Sequence, residues 1–217
     1  LPENAKKLLQ HLSVLGREFK YKLIQTYLPN FVDLDNSILV LKERDILMEL
    51  PAVGDRMFSF KSLLLVEVGY SSILKKNLKK FHELAAKAIE NLFADRIEEN
   101  CELLCHHYLL TDANEKALFY LEKAAEKLFK GYQLEGAANY YHMLMNRIKD
   151  GIEKEVLDPV VYKTKLLDIY KRYGDAAILK GDLYRAREIF TALSTLAKSL
   201  ENSEYIVNAL VGRAESN

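Results

Sequence analysis

Between Phe58 and Phe93 the chain changes character, as the alternating aromatics of Phe58-Ser59-Phe60 give way to a run in which Leu78, Phe81, Leu84, Ala85, Ala88, Ile89 and Leu92 recur at helical spacing. That spacing draws one apolar stripe along a helix and requires a second surface to cover it. The pattern stays helical from there to the end. The chain therefore reads as mainly all-α, with its strands confined to the region before Lys61.

Ahead of this run the elements are short. Ala5, Leu8, Leu9, Leu12 and Leu15 predict a helix over 3–15 that Gly16 ends, and Phe19, Leu23, Ile24 and Tyr27 predict a second over 18–28, stopped by Pro29. Asp33, Asp35 and Asn36 offer N-caps for a third helix through Ile38, Leu39, Leu41, Ile46 and Leu47, ended by Pro51. The turn Val53-Gly54-Asp55 then separates an extended piece from a strand over 56–60. Three short helices followed by a small hairpin is the order of a winged helix, so residues 1–74 are expected to form a winged-helix-like domain.

After Ala94 the pattern predicts helices over 96–110, 115–129, 133–148, 159–179, 182–200 and 205–213, with the polar stretch 149–157 as the longest loop. Asp158-Pro159 combines an N-cap with a first-turn proline, and Gly181-Asp182 a helix-ending glycine with the next N-cap. Tyr170, Gly174, Ala177, Gly181, Ala186 and Phe190 fall at the spacing of a tetratricopeptide repeat. With Ala117 set at the position of Ala186, Cys101, Cys105, Tyr108, Leu121 and Ala124 fall on core sites of an earlier, looser repeat. Residues 75–217 are accordingly expected to form a TPR-like α-helical solenoid, whose stacked pairs bury what no pair buries alone and offer a groove to a partner.

The 31 basic and 31 acidic side chains cancel, so no global field draws the chain towards nucleic acid or an anionic membrane. No apolar run approaches the roughly 18 residues that span a bilayer. No signal peptide opens the chain, and Leu1 in place of Met points to a segment cut from a longer protein. Cys101 and Cys105 share one predicted helix, where a disulfide would distort the turn, and a reducing cytoplasm is the simpler setting.

Chemistry is sparse. Neither G-x-x-x-x-G-K-[ST] nor G-x-G-x-x-G occurs, so nothing cradles a nucleotide phosphate. Cys101, Cys105, His106 and His107 have metal-ligating side chains, but the repeat spacing makes the cysteines small packing residues. His82-Glu83 lacks the second histidine of a zinc-protease helix, because Ala86 stands there. Asp33-x-Asp35-x-Ser37 lacks the glycine and closing glutamate of a calcium loop and reads as helix capping. No nucleophile elbow exists, and no cofactor is called for. Lys75, Lys76, Lys79 and Lys80 form a basic run beside the expected winged helix and are the candidate contacts to DNA phosphates. Against that role, the helix that would enter a groove reads Lys42-Glu43-Arg44-Asp45, whose acids repel the backbone, and a solvated face is the simpler account of the lysines.

Three stretches taken as an ordered set resemble a known family: SVLGREF at 13–19, FSFKSLLLVEVGYSSILKKNLKKFHELAAKAIE at 58–90 and ELLCHHYLLTDANEKALFYLEKAAEKL at 102–128. They are similar to the segment that follows the AAA/STAND-type ATPase core in multidomain signalling proteins, among them bacterial class III adenylate and guanylate cyclases, some kinases and some transcriptional regulators. The resemblance covers roughly residues 1–145 and matches His82 and His107 to family positions. Where the family often carries a basic residue then His, this chain has Lys61-Ser62. The resemblance implies a winged-helix-like lid leading into tetratricopeptide-like repeats, and no catalytic residue.

The expected role is a non-catalytic regulatory and protein-interaction module whose partner is a protein segment or another domain of its own chain. A DNA-binding fragment of a transcriptional regulator is the alternative, and a self-association surface a third.

Overall fold

The computed structural model describes residues 1–216, and its contacts divide the chain into two compact units, Leu1–Asn114 and Glu115–Asn217. Helices dominate both.

The first unit opens with α1 (Glu3–Leu15), which buries Ala5, Leu8, Leu12 and Leu15 and ends at Gly16 with φ 95°, a left-handed conformation that favours glycine. β1 (Glu18–Lys20), α2 (Tyr21–Tyr27), α3 (Leu34–Glu43), β2 (Leu47–Leu50) and β3 (Met57–Phe60) follow. The sheet is antiparallel in the order β1-β3-β2, with Phe19 opposite Phe58 and Met48 opposite Ser59.

Two expected boundaries move here. The helix expected from Glu18 starts only at Tyr21, because the backbone of 18–20 pairs with β3 and points Phe19 inward, its ring edge-on to Phe60 at 5.7 Å. The helix expected to continue through Leu47 stops at Glu43; Asp45 turns at φ 59° and Leu47 enters β2, buried at 1% exposure. Short apolar runs satisfy either period, and sheet pairing chose the strand.

Several charges around α3 are paired within the unit. Glu49 of β2 accepts hydrogen bonds from Arg56 Nε at 2.9 Å and Lys42 Nζ at 2.6 Å, and these two donors hold its carboxyl down at about 2. Lys61 pairs with Asp45.

α4 (Leu63–Ser71) is capped by Ser62 and lies close on α1, where a Cβ at Gly69 would meet Ser13 Cβ at 3.0 Å. α5 (Lys75–Leu92) buries His82, Ala85, Ala86, Ala88 and Ile89 and packs on α1, α2 and α6. The sequence boundary drawn at residue 74 thus falls inside this contact unit. The expected helix over 96–110 is also shorter: a 3-10 turn (Ala94–Asn100) precedes α6 (Cys101–Leu109), and Arg96 leaves helical geometry at φ −135°. None of 94–100 is buried, so no apolar stripe holds that segment in register with α6.

The second unit holds α7 (Asn114–Lys130) from its second residue onward, α8 (Leu134–Glu153), α9 (Pro159–Lys180), α10 (Leu183–Ser199) and α11 (Ser203–Glu215). α8 packs on α9, α9 on α10, α10 on α11, and α11 returns to α9. Phe190 of α10 is the centre of that return. Its ring lies so close to Gly174 of α9 that a Cβ there would meet Cζ at 2.5 Å, and a Cβ at Gly212 of α11 would overlap the same ring.

The expected loop over 149–157 is half helix, since α8 runs on to Glu153 and Gly151 leaves room for Leu157 to fold back at 8% exposure. Side-chain caps define the later helices: Asp158 accepts from Val160 N at 2.8 Å, Asp182 from Arg185 N at 3.1 Å and Asn202 from Tyr205 N at 3.3 Å. Asp182→Ala is expected to cost about 1 kcal/mol and Asp182→Asn much less, read by thermal unfolding. Equal losses in the two variants would show that the cap contributes nothing.

Candidate functional site

α7 and α9 carry a ladder of charges that joins the two helices. Glu122 and Glu126 lie one turn apart on α7, and Lys165, Asp168 and Arg172 follow at helical spacing on α9. Lys165 reaches Glu122 at 2.6 Å; Arg172 holds Glu126 at 2.6 Å through one terminal nitrogen and Asp168 at 2.7 Å through Nε. All five side chains are between a fifth and somewhat under half exposed. They are held, yet a ligand can reach them.

Two tyrosines flank the ladder. Burial pushes the Tyr141 phenol of α8 up to about 12, with Arg172 pulling the other way, so the hydroxyl meets the guanidinium as a neutral group. Burial raises the Tyr205 phenol of α11, and Asp168 adds to the rise. The site can therefore offer a fixed guanidinium, an ammonium, three carboxylates and two neutral phenols to a polar segment laid across the helices. It holds no nucleophile paired with a base.

Beside it, Glu135 and Asn139 of α8, Tyr173 and Lys180 of α9, and Asp182 and Arg185 at the start of α10 line a polar cleft of about 110 Å³. In the first unit a larger hollow, about 260 Å³, lies between the start of α1 and α3 and carries Glu3, Asp33 and Asn36.

Lys75, Lys76, Lys79 and Lys80 are all exposed on the first turns of α5, as two rows one helical turn long. Lys79 is engaged by Asp112 at 2.6 Å, so the run is not a bare positive field. Cys101 and Cys105 are buried, at 0% and 1% exposure, and no disulfide joins them. No group of three or more His, Cys, Asp or Glu among the described residues is placed to hold a metal ion.

Sequence reading missed the ladder. Its only signal is the i, i+4 recurrence of acids on α7 and of mixed charges on α9, which any solvated helix face also shows. It also missed that His82 and His107 meet.

No protein-family model, curated protein or solved structure matches the chain. No helix among the described residues is long and apolar enough to cross a membrane.

Proposed function

We propose that the chain is a non-catalytic regulatory and protein-interaction module of a larger ATPase-containing signalling protein, possessing a winged-helix-like first part and a TPR-like second part whose groove binds a protein segment. The element order helix-strand-helix-helix-strand-strand and the sheet order β1-β3-β2 support the first part of this reading. The stacking of α8 to α11 around the Gly174–Phe190–Gly212 contact supports the second.

The observation that carries the binding role is the ladder Glu122–Lys165 and Glu126–Arg172–Asp168. Exposed pairs contribute little to stability, about 0–1 kcal/mol each, so fixing five charges across two helices serves recognition better than folding. A partner segment with alternating charge exchanges into the pairs without loss of counter-charge, and the pre-ordered side chains reduce the entropy lost on binding.

The test is capture from nuclease-treated lysate on the immobilised full chain, compared with the Lys165→Glu/Arg172→Glu variant. A discrete protein retained by the parent chain and lost by the variant is the expected result. Equal capture by both overturns the ladder as the contact surface.

The DNA reading rests on the exposure of Lys75, Lys76, Lys79 and Lys80. Changing all four to glutamine is expected to leave protein capture unchanged. Retention of duplex DNA that falls steeply with salt and vanishes in this variant would replace the protein-binding role by a nucleic-acid one.

A further inference from the structure

Tyr70, His82 and His107 form a line of hydrogen bonds across three helices of the first unit. Tyr70 Oη of α4 lies 2.9 Å from Nε2 of His82 on α5, and Nδ1 of His82 lies 2.9 Å from Nδ1 of His107 on α6. Both imidazoles are buried, at 0% and 1% exposure. His107 Nε2 has no hydrogen-bond partner among the described residues.

Each neutral ring carries one N–H, so one of the facing Nδ1 atoms donates and the other accepts. If His82 donates, His107 carries its hydrogen on Nε2, where nothing accepts it. If His107 donates, its Nε2 is a bare lone pair, and His82 Nε2–H donates to Tyr70 Oη. Orphaned buried N–H groups are rarer than under-used acceptors, so the second arrangement is the ground state.

Among the described residues, no carboxylate is a cause of the pKa shift at either ring. Next to the pair stands His106 of α6, its ring 5.9 Å from that of His82 and 5.4 Å from that of His107. From α4 comes the neutral phenol of Tyr70. α1 and α2 meet α5 at Phe81, through His11 stacked on that ring and bonded to Tyr27. On α5 and α6 the nearby carboxylates have other work: Glu83 holds Lys87, Glu90 accepts from Tyr108, and Glu102 contacts Cys101. Asp95, Arg96, Glu98 and Glu99 of the 3-10 turn are exposed to solvent, and Asp112 pairs with Lys79.

We propose that Tyr70, His82 and His107 form an acid-sensitive latch, which holds α4 and α6 on α5 at neutral pH and releases α6 in mildly acidic solution. A proton at the lone pair of His107 Nε2 creates a buried imidazolium whose new N–H has no acceptor. A proton at His82 Nδ1 sets two N–H donors head to head at a spacing of 2.9 Å, which converts the central hydrogen bond into a repulsion. Burial, reinforced by the neighbouring histidines, holds His82 at about 4 and His107 at about 3, and opening α6 returns both to the ordinary value. Local opening requires less free energy than global unfolding, so α6 yields before the unit does. The latch does not rest on the binding role of the second unit.

The test is amide hydrogen exchange of the full chain at pH 7.0 and 5.0, corrected for the chemical exchange rate. Residues 101–109 are expected to lose protection about tenfold or more, while α9 and α10 keep theirs. In the His82→Phe/His107→Phe variant that difference is expected to vanish. Unchanged protection in the parent chain, an equal loss in every helix, or the same acid response in the double variant would each overturn the latch. Should the double variant fail to fold, imidazole ¹⁵N shifts of the parent chain decide: a neutral, Nδ1-protonated His107 at pH 5.5 is the expected result, and both rings protonating near about 6.5 is the contrary one.

Discussion

Phe190→Ala is expected to lower the stability of the second unit by about 3–5 kcal/mol, the range for truncating a fully buried phenylalanine. Phe190 is 1% exposed, and its ring fills the space that Gly174 and Gly212 leave open on two different helices. Its loss leaves a cavity between α9, α10 and α11 at once, and rigid helices close such a gap poorly. The complementary change, Gly174→Val, forces side-chain atoms into the ring from the other side. Overpacking costs about 1–3 kcal/mol, offset in part by the better helix propensity of valine over glycine. Urea unfolding followed by far-ultraviolet circular dichroism measures both. The chain holds two compact units, so the transition need not be two-state, and its later or earlier phase is assigned by fluorescence of a single tryptophan placed in α10 at the exposed Tyr184. A Phe190→Ala midpoint within error of the parent would show that α11 does not depend on this contact.

The first unit is expected to lose stability steeply as pH falls from about 6.5 towards 4, and to do so ahead of the second unit. Burial lowers His11 to about 4, and burial followed by the neighbouring histidines lowers His82 to about 4 and His107 to about 3. Each folded value lies below the unfolded one of about 6.5, so the unfolded chain binds more protons throughout the window. The histidine contribution is therefore complete above about 6.5, decreases as pH falls, and stops decreasing below the folded values. Each group contributes a slope of at most about 1.4 kcal/mol per pH unit. Urea midpoints at pH 7.5, 6.5, 5.5 and 5.0 check this above the range where most carboxylates titrate. His11→Phe removes one group of the three, keeps the stack on Phe81, and is expected to flatten the curve by about a third. A profile flat from pH 7.5 to 5.0 would mean that these rings are already charged, or hydrated, in the folded chain.

Much of the second unit was legible from residue spacing. Of the spaced set Tyr170, Gly174, Ala177, Gly181, Ala186 and Phe190, all but Gly181 are buried, because a helix crossing needs small residues on one side and a filling ring on the other; Gly181 is exposed and ends α9. The caps at Asp158 and Asp182 were legible too, since capping depends on a few consecutive residues. Extension of α8 to Glu153 was not, because polar residues carry no stripe to mark where a helix goes on.

The first unit resisted more. Phe19 and Leu47 sit in apolar runs too short to separate a helix from a strand, and the choice fell to β3, whose edges both segments pair with. The charge ladder stayed hidden for a related reason: Glu126 and Arg172 are 46 residues apart, and i, i+4 charge patterns look alike on a bare face and on a joined one.

By itself the sequence determined the helical class, the caps at Asp158 and Asp182, the small-and-large alternation around Phe190, and the exposure of Lys75, Lys76, Lys79 and Lys80, since each follows from local periodicity or charge. Asp33, expected to cap α3, makes no side-chain cap bond. Only the tertiary structure decided that His82 meets His107 across 25 residues, that Arg172 bridges Glu126 and Asp168, and that residues 18–20 and 47–50 are strands. Those outcomes depend on which surfaces close on one another, and the free energy of a pairing between distant residues appears in neither segment alone.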